Sequence, residues 1–163
     1  MQKKSILILG VGSPFGADRL GWQAVQALEQ QPLAAQFPQL DIRFEQSDRP
    51  GSRLLSLLRQ VDAAVIIDAM RSGMSAGSVR RFENSALVGE TGLMSTHGFG
   101  VAEALALGRT LAGVSGDDIA GDVVVIGIEM DAGNVPEALR EESLVELLAL
   151  TQIELTRWGG DIC

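Results

Sequence analysis

The sequence predicts an α/β fold: a three-layer α/β/α sandwich around a mostly parallel, roughly five-stranded twisted sheet with one antiparallel strand. Two observations carry this reading. Three short runs, Ile6–Leu9, Ala63–Ile67 and Val123–Ile128, are apolar without alternation, the pattern of strands whose two faces are both covered by helices. Between and after them the apolar residues recur at helical spacing, so that each sheet face has helices to cover it.

The elements follow in order. The Ile6–Leu9 run reads as the first strand and breaks at Gly10-Val11-Gly12. Leu20, Ala24, Ala27 and Leu28 then mark a helix. Pro32 and Pro38 separate it from a second strand over Asp41–Glu45, and Pro50-Gly51 precedes a second helix marked by Leu54, Leu55, Leu57 and Leu58. The Ala63–Ile67 strand ends at Asp68. A turn region from Gly73 to Gly77 leads directly to another strand over Ser78–Phe82, and so short a link suggests a hairpin with the Asp68 strand. A helix over Ala102–Leu111 and the Val123–Ile128 strand come next. Val135-Pro136-Glu137 resembles a helix start with proline in its first turn, and Leu144, Leu147, Leu148 and Leu155 mark the last helix.

Size and composition narrow the function. The chain has 163 residues, 46% hydrophobic and 21% charged, which suits a single domain over residues 1–163 with a core that needs no disulfide or structural metal. The net charge of -8 comes without a basic stripe, so the chain repels phosphate backbones and nucleic acid is not an expected partner. The one cysteine, Cys163, is the last residue, and a reducing, cytoplasmic setting is expected. The apolar stretch after the two N-terminal lysines is too short for a signal-peptide core or a membrane span.

In open α/β sheets ligands bind beyond the carboxyl ends of the strands, so the chemistry is sought there. The first strand leads into Gly10-Val11-Gly12-Ser13-Pro14-Phe15-Gly16-Ala17-Asp18-Arg19-Leu20-Gly21-Trp22. A dinucleotide fingerprint would need its third glycine at Phe15. The Ala63–Ile67 strand ends at Asp68, and Ser95-Thr96-His97-Gly98 opens a later helical pattern. Asp18, Asp68 and His97 thus reach one rim from three segments. Two oxygen donors and one nitrogen donor, with positions left open, suit a borderline divalent cation that must also meet a substrate. Each residue also has a plainer role open to it: Asp18 as a helix N-cap, Asp68 as a turn cap, His97 as a residue filling the start of a helix. A nucleotide-binding module using the Gly10–Gly16 loop is a further alternative, although it leaves Asp68 and His97 without a task. Trp22 is expected to pack under the loop rather than line the cleft. Glu129 and Asp131 follow the Val123–Ile128 strand on the same rim; solvent exposure is the default there, with a supporting hydrogen bond from Glu129 as the sharper reading. The sequence has no H-E-x-x-H helix.

These segments resemble the hydrogenase maturation endopeptidases, which remove a C-terminal extension from the large subunit of nickel-iron hydrogenases after nickel insertion. The resemblance runs over nearly the whole chain. It rests on Leu9-Gly10-Val11-Gly12-Ser13 with Asp18 and Gly21, on Val65-Ile66-Ile67-Asp68-Ala69 with Gly73 and Gly77, on Ser95-Thr96-His97-Gly98, and on Val125-Ile126-Gly127-Ile128-Glu129. It implies that Asp18, Asp68 and His97 form a metal-recognition site and carry the catalysis. It also implies that the nickel is supplied by the precursor rather than permanently bound, and that the partner is the nickel-iron hydrogenase large-subunit precursor, met by a monomer.

The chain departs from the family pattern at Ser13, where asparagine is usual, and at Ala17-Asp18-Arg19, where two adjacent acidic residues are usual. Counting forward from Ser13 places Arg19 on the ligand position, where a guanidinium cannot coordinate a cation. Counting back from Leu20-Gly21 places Asp18 there and keeps the glycine aligned, and this register is adopted. A further family aspartate is matched by Asp48, in a segment that otherwise departs from the family. Because of Ser13 and Arg19, a non-catalytic relative acting as a binding or scaffold protein is the alternative reading.

Overall fold

The computed structural model describes residues 2–12, 19–48, 52–83, 94–95, 121–131 and 138–160. Six strands lie among them: β1 (Lys4–Val11), β2 (Leu40–Ser47), β3 (Ala63–Arg71), β4 (Val79–Glu83), β5 (Met94–Ser95) and β6 (Asp122–Glu129). The helices are α1 (Leu20–Glu29), the short α2 (Leu33–Gln36), α3 (Ser52–Leu58) and α4 (Glu141–Gly159). The expected helix over Ala102–Leu111 lies outside the described residues.

The sheet runs in the order β2-β1-β3-β6-β4, with β5 attached to β3. Strands β2, β1, β3 and β6 are mutually parallel, whereas β4 is antiparallel to β6. The apolar runs take the centre, as a strand covered on both faces must: Ala63 through Met70 are all buried. Alternate residues feed two cores. Ile6, Ile8, Val65, Ile67, Val124 and Ile126 pack with α1 and α4, while Leu7, Leu9, Ile66, Val123 and Val125 pack with Leu54, Leu55 and Leu58 of α3. The result is the expected three-layer sandwich, in which each fully buried Leu or Ile side chain contributes about 1.5–3 kcal/mol.

The antiparallel strand is present, but its partner is not the one the short link suggested. β4 pairs with β6, and β6 lies between it and β3. Both edges of β3 are taken by long parallel ladders to β1 and β6. The three charges of Val79-Arg80-Arg81-Phe82-Glu83 suit an outer edge instead. Residues 72–78 are long enough to step over one strand, a displacement of about 10 Å, and they are tied to it on the way: Gly77 N–H donates to the Glu129 carbonyl at 2.9 Å, and Glu129 N–H to the Ser78 carbonyl at 2.8 Å.

Glycine lets α1 lie directly on the sheet. A Cβ on Gly10 would fall 2.2 Å from the Gly21 carbonyl oxygen, and one on Gly21 would fall 2.1 Å from the Val11 carbonyl oxygen. On the same side of the sheet α4 is held by a buried carboxylate. Glu154, 1% exposed, bonds Arg81 of β4 and, at 2.9 Å, Arg157 Nε; Arg157 also reaches Asp122 at 3.1 Å. The last helix starts later than the proline suggested, because residues 138–140 are not helical and α4 opens at Glu141. Glu141 and Glu142 in its first turn favour the positive end of the helix dipole.

Candidate active site

Asp68 is 6% exposed and lies in the carboxyl-terminal half of the central strand β3, which does not end there as the change from Ile67 to a charge suggested but runs on to Arg71, carried by the ladder to β6. Its level in the sheet is distinctive. On one side β3 pairs with β6 throughout, Asp68 facing Gly127. On the other side the β1 ladder ends at Ile67, paired with Gly10, and the two-residue β5 ladder begins at Met70, paired with Ser95. Asp68 and Ala69 therefore lie between the end of one neighbouring strand and the start of another.

Those two neighbours are the strands from which the other predicted ligands depend. The chain leaving β1 leads to Asp18. The chain entering β5 passes Met94, opposite Arg71, then Ser95, opposite Met70, so that it travels back along β3 toward the level of Asp68, with His97 two residues further on. Asp18 and His97 themselves lie outside the described residues, as does Ser13. Among the described residues no group of three or more His, Cys, Asp or Glu side chains is placed to hold a metal ion.

The plainer readings of the same loop can be compared with its described part. The N-cap position of α1 belongs to the exposed Arg19, with no capping hydrogen bond from its side chain. Trp22 is half-buried, its indole N–H donating to the Ser47 carbonyl at 3.0 Å; the loop it was expected to pack under lies outside the described residues. The same carbonyl accepts Gly12 N–H at 3.0 Å. Gly10 and Gly12, the two described glycines of the supposed nucleotide loop, are therefore explained without a phosphate. Gly10 admits the backbone of α1, and the Gly12 amide is already bonded within the protein. Asp48 is exposed, just beyond the end of β2.

Glu129 departs from the expected solvent exposure. It is 3% exposed, and its carboxylate accepts Ser72 N–H at 2.8 Å, Ser72 Oγ–H at 2.7 Å and Gly73 N–H at 3.1 Å. Gly73 takes this position with φ +85°, a conformation that favours glycine. Since Glu129 pairs with Met70 in the ladder, the clamp fixes the chain just after Asp68. Residue type alone could not have revealed it; the signal was an acid directly continuing an apolar strand, beside a strand followed by a Ser-Gly turn. A separate cavity of about 250 Å³, lined by Val25, Glu29, Phe44, Glu45 and Gln46, lies at β2 and α1 and contains none of the predicted site residues.

A mostly parallel α/β sandwich with a buried aspartate in the carboxyl-terminal half of its central strand has known relatives. No family model matches the sequence. The chain is 28% identical over 127 residues to the hydrogenase expression/formation protein HupD of Thiocapsa roseopersicina, a match covering 76% of this chain and 53% of that protein. It thus spans about half the length of that relative. In fold it is similar to the nickel-iron hydrogenase maturation protease HybD from Thermococcus kodakarensis (TM-score 0.61, 18% identity, 93% of this chain and 99% of that one). It is also similar to the hydrogenase maturating endopeptidase HybD from E. coli (TM-score 0.62, 20% identity, 94% and 93%). An endopeptidase from Escherichia coli gives a TM-score of 0.67 at 20% identity, over 96% and 95% of the two chains. The fold is that of the hydrogenase maturation proteases, and the resemblance to that family carried by the sequence motifs is borne out in sequence and in fold. Among the described residues no helix is long and apolar enough to cross a membrane.

Proposed function

We propose that this chain is an endopeptidase that removes the C-terminal extension of a nickel-loaded nickel-iron hydrogenase large-subunit precursor, acting in the cytoplasm as a monomer. The observation that carries the reading is the level of Asp68 between the end of the β1 ladder and the start of the β5 ladder. That arrangement leaves a site at the carboxyl end of the sheet flanked by the segments that continue to Asp18 and His97. The relatives named above support the coarse activity.

In this reading Asp18, Asp68 and His97 offer two oxygens and one nitrogen to the nickel that arrives with the precursor, a donor set suited to a borderline divalent cation with positions left for the substrate. Charge held at that point polarises the scissile carbonyl or lowers the pKa of a water that attacks it. Recognition of nickel and selection of the mature precursor are then one event, because an empty precursor lacks the cation that completes the site. Specificity is the difference in affinity between loaded and empty precursor. The burial of Asp68 limits competing contact with water, and the Glu129 clamp keeps the end of β3 in place.

The test is in vitro processing of loaded and empty precursor by the native chain and by Asp68→Asn and His97→Ala. Cleavage of loaded precursor by the native chain alone is the expected result. Tight binding without cleavage would overturn it in favour of a non-catalytic relative, with Ser13 and Arg19 as the first positions to revert to the family pattern.

A further inference from the structure

Two adjacent arginines of β4 have different surroundings. Arg81 faces α4, and its guanidinium is bonded to the buried Glu154 carboxylate. Arg80 projects from the opposite face, as successive strand residues do. It is half-buried, its guanidinium carbon lies 4.9 Å from the centroid of the Phe82 ring, and among the described residues it has no ion pair.

Register relates Arg80 to Asp68. Asp68 pairs with Gly127, and Gly127 pairs with Arg80. Paired residues project to one face, so Asp68 and Arg80 share the α3 side of the sheet, two strand spacings or about 10 Å apart at their Cα atoms. The glycine between them has no side chain, and its place is filled from β3: a Cβ on Gly127 would fall 2.5 Å from Met70 Sδ. A carboxylate, a thioether and a guanidinium therefore follow one another across the carboxyl end of β3 and its neighbours.

An arginine over an aromatic ring keeps its in-plane N–H donors available while its position is constrained. That fork matches a carboxylate, which it can bind through two parallel hydrogen bonds. The chain carries a net charge of -8, so its general field disfavours an acidic group, and a local guanidinium is needed to seat one. We infer that Arg80 is the receptor for a carboxylate of the polypeptide bound at Asp68, supplied by its chain terminus or by an Asp or Glu side chain. The inference rests on the proposed function, since it requires a polypeptide at that end of the sheet. In an extended peptide the distance corresponds to about three residues from the group held at Asp68.

The test titrates the full chain with three fluorescent peptides spanning the scissile bond and the extension of the precursor used for processing. One has a free C-terminus, one a C-terminal amide, and one has the Asp and Glu side chains of its extension replaced by Asn and Gln. Each is measured with the native chain, R80K and R80Q. One neutralised peptide is expected to bind the native chain about tenfold more weakly than its parent, and R80Q to weaken the parent by a similar factor while ignoring that neutralisation. R80K, which keeps the charge but not the fork, falls between. The neutralisation that matters identifies the source of the carboxylate. Native-like binding by R80Q, or an equal loss for all three peptides, overturns the inference. Processing of loaded precursor by the native chain alongside an unaltered R80Q titration removes Arg80 alone. Absence of both processing and peptide binding by the native chain instead removes the proposed function, and the role of Arg80 with it.

Discussion

Glu129 holds Ser72 at two points, accepting its backbone N–H at 2.8 Å and its Oγ–H at 2.7 Å. Because the acid stands at the end of β6 and the serine just after β3, a single carboxylate fixes the two central strands to each other at the end where Asp68 lies. Replacing it leaves the Ser72 and Gly73 donors without their acceptor. Glu129→Ala is expected to cost about 2–3 kcal/mol of stability, and Glu129→Gln, which retains one acceptor oxygen, about 1 kcal/mol. Denaturant midpoints give the totals. Hydrogen exchange at Ser72 and Gly73 gives the location, and unchanged protection there in the alanine variant would refute the clamp.

Gly10 and Gly21 form a contact that no side chain can enter. Gly10→Ala places a Cβ 2.2 Å from the Gly21 carbonyl oxygen, and Gly21→Ala one 2.1 Å from the Val11 carbonyl oxygen. Backbone lies on both sides, so α1 must move as a body. Each substitution is expected to cost upwards of ~2 kcal/mol, by the reasoning that governs overpacked cores. A urea midpoint equal to that of the native chain would show that α1 sits farther from β1 than described.

The two arms of the Glu154 network should differ. Glu154 is 1% exposed and its carboxylate bonds both Arg81 and Arg157, so Glu154→Ala is expected to cost about 3 kcal/mol. Arg157 is 46% exposed at its side chain, and Arg157→Ala should change stability by no more than about 1 kcal/mol. Thermal and urea unfolding of both variants decide the matter; a reversed order would mean that α4 is held chiefly by its exposed pair.

Asp68→Asn tests whether the buried acid serves chemistry or packing. The amide has nearly the same shape, and stability should stay within about 1 kcal/mol of the native value. Processing of loaded precursor should fall by more than about a hundredfold if the carboxylate is a nickel ligand. Comparable losses in stability and activity would identify Asp68 as a structural residue.

Much of this was legible before any coordinates. Ile6–Leu9, Ala63–Ile67 and Val123–Ile128 became the three adjacent central strands because residues apolar on both faces can lie only in the middle of a covered sheet. The abrupt change from Ile67 to a charge marked Asp68 but not the end of the strand, since pairing with β6 carries β3 on to Arg71. The partner of β4 was not legible, since a short link constrains distance and not which edge is vacant. β5 escaped notice because two residues, Met94 and Ser95, carry no periodicity, yet their antiparallel pairing with Arg71 and Met70 runs back along β3. Glu129 was misjudged because its burial depends on Ser72 and Gly73, more than fifty residues earlier. Asp18 and His97, the remaining two predicted ligands, lie outside the described residues, and their convergence with Asp68 belongs to the proposal.

The position of β6 between β3 and β4 also governs the order in which the chain can be completed. On a ribosome, β3 and β4 both emerge while the strand that must separate them has not yet been made. At about 5–20 residues per second, the interval from Arg71 to Glu129 lasts roughly 3–12 s, and throughout it one edge of an apolar strand awaits its partner. A nascent chain in that state presents the kind of surface that chaperones hold and neighbouring chains capture. Slowing of translation before Asp122 would lengthen that vulnerable period, whereas slowing after Glu129 would leave it unchanged.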